Sequence, residues 1–325
     1  MTMKHLYHRL GDSAYALGIK LFAKTLKKIR KNGVQNYPKS RQALLEVGVF
    51  PVADHYYEPQ FAFSKEEIEK FNDRNLPGID WNMEQQMELL GKFVFAKEIN
   101  FLMEPSGNRL DFCINNSGFG PGDAEIWFQM IRLKKPSRII EIGSGNSTLV
   151  AIQALKKNAS EPGGIHCDHI CIEPFEFEWL KETGVRFIKE KVENLEVDLF
   201  RTLNENDILF IDSSHVVRPK GDVLHEILEI LPILRKGVIV HFHDIFSPNN
   251  YPRHWLLDEV KFWNEQYMLE AFLSSNSDWE VLFANNLIFH RFFDDFCGVS
   301  HYLSKPTKEK RSNHEPGSFY IQKSK

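Results

Sequence analysis

The sequence predicts an α/β fold, an open, mostly parallel, doubly wound sheet with helices on both faces. Three observations predict it. Short apolar runs alternate with helix-like segments from Arg138 onward. A glycine turn, Gly143-Ser144-Gly145, joins the first run to a helix start at Asn146-Ser147-Thr148. Four of the runs end in polar residues, at Glu141/Gly143, Glu173, Asp212–His215 and His243-Asp244. In open α/β sheets ligands bind outside the carboxyl ends of the strands, so these tips mark one cleft.

Length and composition set the frame. The chain has 325 residues, enough for one large domain with additions or for two. Hydrophobic content of 42% and charged content of 26% are ordinary for a globular protein. A formal net charge of −4 gives no basic field of the kind nucleic acid needs. Cys113, Cys167, Cys171 and Cys297 form no CxxC pair, so they read as reduced thiols in a cytoplasmic protein. No apolar run approaches the ~20 residues of a membrane span.

The elements follow in order. Residues up to about 35 read as a basic, mildly amphipathic helix, closed by Asn36-Tyr37-Pro38. The stretch has no continuous apolar core and no clear small-residue cleavage site, so it is not read as a signal peptide, and a solvated helix is expected over one at a membrane surface. A short helix is expected over Arg41–Val47. Between Pro51 and Pro59 lies an aromatic loop in which His55, Tyr56 and Tyr57 are candidates for touching a substrate. Leu76–Asp80 is turn chemistry, with Asp80 or Asn82 as the cap of a helix over about 83–98. Met83, Met87, Leu90 and Val94 of that helix form a stripe expected to face a core. These residues, 1–110, form a mainly helical extension and a possible substrate cap; residues 111–325 form the sheet domain.

In that domain Asp123 is expected to cap a helix over Ala124–Leu133. Strands are expected at 138–142, 165–173, 185–188, 207–212, 237–244 and 279–284, with a seventh at 318–322. Asp207–Asp212 is nearly all apolar between its ends, as a strand buried on both faces should be. Helices are expected at 148–157, 175–183, 222–234 and, as one long element containing Trp255, 252–275.

The glycine turn narrows the ligand. A dinucleotide site wants GxGxxG, and Thr148 stands at the third glycine position. Glu141, two residues before Gly143, would repel a pyrophosphate and suits a cationic ligand. A nicotinamide-dependent oxidoreductase and a non-catalytic binding protein are the competing readings.

EIGSGNST, CIEP, DILFIDSSHV and GVIVHFHDIF together resemble the successive motifs of class I S-adenosylmethionine-dependent methyltransferases, in particular bacterial sugar and natural-product O-methyltransferases. The resemblance runs from about Asp123 to the C-terminus. It implies a Rossmann-like, seven-stranded sheet whose last strand is antiparallel. It implies that Glu141, Gly143, Ser144, Gly145 and Thr148 surround the methionine part of the cofactor. Glu173 would hold the ribose, Val192 and Glu193 would flank the adenine, and Asp212 and Ser213 would lie near the methionine end. The expected reaction is methyl transfer to a hydroxyl of a small molecule, a sugar or a secondary metabolite. His215 is the first candidate for the base, with His243 and Asp244 next. His241, two residues before His243, reads as structural. Some related enzymes bind Mg²⁺ at these tips, where Asp212 and Asp244 match, but Ser214 and His243 stand where carboxylates are often found. Trp255 is a further candidate for stacking on the acceptor. The sequence leaves the acceptor and the oligomeric state open.

Overall fold

Side chains of the central strands alternate between two buried layers, which is why each strand reads as an unbroken apolar run. Ile139, Ile208, Phe210 and Ile239 enter one layer; Ile140, Ile142, Leu209, Ile211, Val240 and Phe242 enter the other. In this computed structural model, residues 3–52, 57, 59, 63–71, 73–102, 108–114, 116, 118–175, 178–303 and 315–325 are described.

The sheet consists of β1 (Arg138–Ile142), β2 (Asp168–Ile172), β3 (Arg186–Ile188), β4 (Ile208–Ile211), β5 (Ile239–Phe242), β6 (Trp279–Ala284) and β7 (Phe319–Lys323). Its order is β3-β2-β1-β4-β5-β7-β6. The strands from β3 to β5 are parallel, and β7 runs antiparallel to both β5 and β6. The seven strands and the antiparallel last strand agree with the expectation from the motifs. The order reverses at β1/β4, the switch point where such sheets open a crevice.

The chain forms two compact units, Met1–Lys65 and Glu66–Lys325. The first contains α1 (Met3–Lys31) and α2 (Pro38–Val47), the latter closed by Gly48 at φ 76°. The second contains the sheet and also α3 (Met83–Gly91), which packs on β6. By packing, the sheet unit begins at Glu66. Gln86 of α3 supplies one reason, accepting a hydrogen bond from the Ala284 N–H at 2.8 Å. Helix α3 stops at Gly91, short of the expected 98, so Val94 leaves the apolar stripe and is exposed.

Helices α4 (Asp123–Lys134) and α5 (Asn146–Ser160) cover one face of the sheet. The helical run α6 (222–233), π-helical at Glu226–Ile230, and α7 (Glu265–Leu273) cover the other. The expected long helix over 252–275 is two elements, a one-turn helix Arg253–Leu257 and α7. The break contains Val260 at φ 53°, an unusual conformation for a β-branched residue. Beyond β6, α8 (Asn285–Arg291) has no counterpart in the sequence reading.

Candidate functional site

At the end of β1 the chain must turn away from the sheet beside β4, and only glycine fits. Gly143 has φ +76°, and a Cβ on it would lie 1.8 Å from the Asp212 carbonyl oxygen. The Gly143 N–H donates to Ile172 of β2 at 3.0 Å, and the Asp212 N–H donates to Ile142 at 2.8 Å. The tips of β1, β2 and β4 are thereby held together around one crevice.

Two adjoining cavities occupy it. One, of about 370 Å³, is lined by Gly143, Glu173, Val192, Glu193, Asp212 and Ser213 among others. The second, of about 290 Å³, shares Gly143, Glu173, Asp212 and Ser213 and adds Ser144 and Gly145. Phe175, Lys191 and Arg218 also line the first cavity and escaped the sequence reading, since no motif marks them. Glu173 sits where expected, at the tip of β2, with its carboxylate accepting from the Phe175 N–H at 2.7 Å and the Ser144 N–H at 3.4 Å. The Ser144 hydroxyl is buried and has no hydrogen-bond partner among the described residues. A buried polar atom left unpaired at a cavity wall is a place for a ligand to bond.

Glu141 is not in either lining, contrary to the expectation that it faces the ligand. It projects into the layer under α5 and is fully buried. One carboxylate oxygen takes the hydroxyls of Thr148 and Ser147; the other lies 3.0 Å from His169 Nε2. Thr148 Oγ1 also accepts from the Gly145 N–H at 3.2 Å. Glu141 and Thr148 thus shape the glycine turn from behind. Burial opposes a charge on His169, but the neighbouring Cys171 and Glu141 raise it to about 10.

The tips of β4 and β5 carry a dense set of ionisable groups. His215 Nε2 lies 3.3 Å from Asp212 Oδ1 and 3.6 Å from Asp244 Oδ2, and Nδ1 lies 2.8 Å from Glu265 Oε2. His243 Nδ1 lies 3.5 Å from both Asp212 and Asp244, and its Nε2 lies 3.6 Å from Asp123. His215 and Asp244 both have left-handed backbone, φ 59° and 60°, a conformation that clusters at functional sites. Burial works against charge on the two imidazoles, yet the surrounding carboxylates hold both well above the usual histidine range. Asp212, although burial opposes its ionisation, is held well below the carboxylate range by His243 and His215. Burial raises Asp244 and Glu265, with the histidines pulling the other way.

His241 has a different surrounding. It is fully buried, stacked on Tyr320 at 4.1 Å, and burial lowers it well below the usual range, so it is a neutral core residue. Asp123 is the first residue of α4, with Gly122 as the cap. Its carboxylate instead ties α4 to the start of β7, accepting from the N–H groups of Gly317 and Ser318 at 2.9 and 2.7 Å.

Asp212, His215 and Asp244 bring ligand-type atoms within 4.8 Å of one another, and Glu141, His169 and Cys171 do the same. Neither set suits Mg²⁺, which seeks near-octahedral oxygen ligands; the first includes an imidazole and the second a thiol as well. The imidazole of the first set is also already flanked by the two carboxylates it would share with an ion.

Of the acceptor candidates, His55 and Tyr56 lie outside the described residues. Tyr57 belongs to the first unit and is exposed. Trp255 lies in an aromatic cluster after β5, 5.0 Å from Trp263, with Lys261 Nζ over both rings at 3.8 and 4.2 Å. Trp263 in turn lies against His215, with centroids 4.2 Å apart. Trp263 and Glu265 were missed because the sequence has no Gly or Pro to announce the break that frees them.

A family model described as a methyltransferase domain matches residues 140–245, from β1 through the tip of β5. A protein of Archaeoglobus fulgidus, described as uncharacterized, is 32% identical over 180 residues, covering 50% of this chain and 78% of that protein. The solved O-methyltransferase TomG of Streptomyces achromogenes, in complex with S-adenosylmethionine, is 15% identical over 73% of this chain and 90% of its own, at a TM-score of 0.34. An O-methyltransferase of Bacillus cereus is 12% identical over 73% and 91%, again at 0.34. The match spans all four polar strand tips, the glycine turn among them, and the chain carries a methyltransferase domain over residues 140–245.

Proposed function

We propose that this methyltransferase acts on a hydroxyl group of a small molecule, a sugar or a secondary metabolite, with His215 as the base. The observation that carries the reading is the continuity between the crevice and the ionisable cluster: Asp212 lines both cavities and lies 3.3 Å from His215. Residues 111–325 would carry out transfer and residues 1–110 would select the acceptor. The reaction would be cytoplasmic, with no nucleic acid involved, as the net charge of −4 suggests.

The residues present fit S-adenosylmethionine. The bare backbone of Gly143 and the unpaired Ser144 hydroxyl would receive its amino-acid part, with Asp212 and Ser213 beside it. Glu173 would accept from the ribose hydroxyls, and Val192 and Glu193 would flank the adenine. When bound, the cofactor supplies an electrophilic methyl on a positively charged sulfur. The protein must align the acceptor with that methyl and remove a proton. Glu265, accepting from His215 Nδ1–H, fixes the tautomer whose Nε2 can take the acceptor's proton. Asp212 and Asp244, 3.3 and 3.6 Å from Nε2, would steady the positive charge that forms on the ring, and His243 lies against both carboxylates. Trp263 and Trp255 offer an aromatic wall beside His215 for a sugar or an aromatic acceptor. The donor set argues for proton removal by the histidine without Mg²⁺.

Calorimetry with S-adenosylmethionine, followed by a panel of sugars and phenols read by mass for one added methyl, tests the reading. A His215→Ala change is expected to leave cofactor binding intact and to cost on the order of 10²–10⁴ in turnover. Methylation confined to nitrogen acceptors, or full turnover without His215, sinks the corresponding part.

A further inference from the structure

We propose that α1 is an interfacial anchor that lies flat on an anionic lipid bilayer. Tyr15, Gly18, Ile19, Phe22, Leu26 and Ile29 recur at helical spacing along one side of α1. Tyr15, Ile19 and Phe22 are 73%, 65% and 70% exposed, so among the described residues the N-terminal half of this stripe is left uncovered. Lys20, Lys24, Lys27 and Lys31 recur at the same spacing along the opposite side.

The charge identifies the occupant. Residues 3–31 contain eight lysines and arginines against one aspartate, net +7. The other residues of the chain carry 32 basic and 43 acidic groups, net −11. Cation is therefore concentrated on the element that exposes an apolar stripe. An anionic bilayer answers both features, taking the apolar side among the acyl chains while the lysines reach the headgroups. A second copy of the helix would bring like charges together, and nucleic acid would leave the tyrosine, isoleucine and phenylalanine in water. Helix α1 is not apolar enough to cross the membrane, which fits a helix in the plane of the interface.

The test is co-sedimentation of the full chain with vesicles of phosphatidylcholine alone or with about 30% phosphatidylserine. Binding is expected to the anionic vesicles alone and to weaken as salt is raised. Ile19→Ser/Phe22→Ser and Lys20→Glu/Lys24→Glu are each expected to raise the lipid concentration for half-binding roughly tenfold or more. Both pairs lie outside the crevice, so cofactor binding by each variant reports an intact sheet unit and undiminished helical circular dichroism reports an intact α1, and either pair suffices if the other fails to fold. Three results overturn the proposal. Wild-type protein stays in the supernatant; the serine pair binds as well as wild type; or wild type is a dimer that the serine pair makes monomeric, with no affinity for vesicles, which would mean a second copy covers the stripe.

Discussion

His215 and Glu265 lie 50 positions apart in the chain and meet at 2.8 Å, imidazole Nδ1 to carboxylate, at the mouth of β4. The His215 carbonyl also accepts from the N–H groups of Asn264 and Glu265, at 3.0 and 3.2 Å, so the start of α7 grips the residue at both ends. The carboxylate orients the ring and, against the burial that opposes charge, joins Asp212 in favouring its protonated form, which gives the base a distinctive dependence on pH.

A base works when deprotonated. Because His215 lies well above the ordinary 6.5, turnover is expected to rise with pH through a midpoint on the alkaline side of that value. Glu265→Gln removes a negative charge from the ring while leaving an oxygen to accept from Nδ1. The midpoint is expected to fall toward the ordinary histidine range. A pH–rate profile with the same midpoint in both proteins would mean that Glu265 does not act through His215.

Gly143→Ala places a Cβ 1.8 Å from a backbone oxygen at a φ that alanine disfavours. The turn must shift, and the cofactor surface shifts with it. Calorimetry should record a loss of S-adenosylmethionine affinity of about 100-fold or more, with a lowered melting temperature as the companion readout.

The two glutamates at the crevice should separate in their effects. Glu141→Gln breaks a buried pair with His169 and should cost about 3 kcal/mol in denaturant unfolding. Glu173→Gln faces the cavity, and should lower cofactor affinity about 10- to 100-fold with little change in stability. The first effect carries a pH signature. His169 is raised to about 10, so its contribution to stability is complete below 6.5 and disappears as pH rises toward 10. Glu141→Gln should flatten that decline. Equal effects of the two changes on cofactor binding would contradict the division of roles.

Chelation supplies a further check. With an imidazole in the only donor set at the crevice among the described residues, EDTA should leave turnover within about twofold, and added Mg²⁺ should not restore or raise it. Activity that vanishes on chelation and returns with Mg²⁺ would assign Asp212 and Asp244 to a metal.

Much of this was legible in the sequence because parallel strands covered on both faces must be apolar along their whole length. Ile208–Ile211 is clear for that reason. The polar tips were legible because charged residues at the end of such a run have few other reasons to be there. The side taken by Glu141 was not. Period-two alternation says that it opposes Ile140 and Ile142, but with helices on both faces it does not say which layer receives it. Glu265 was hidden because the break before α7 contains Val260 in an unfavoured conformation, with no glycine or proline to signal it. Trp263 followed Glu265 out of view.

Strand β7 has a place in the sheet that bears on how the chain folds as it is made. Residues 319–323 insert between β5 and β6, so the strand synthesised after all the others is an interior one. Until it emerges from the ribosome, the edge of β5 is unpaired and β6 has no partner at all. The strands from β3 to β5 can assemble while translation continues, whereas the pairing of β6 and β7 must wait until residues 319–323 emerge. A nascent chain stalled before residue 319 should accordingly present an open, sticky flank beside His243 and Asp244, the kind of surface that chaperones engage.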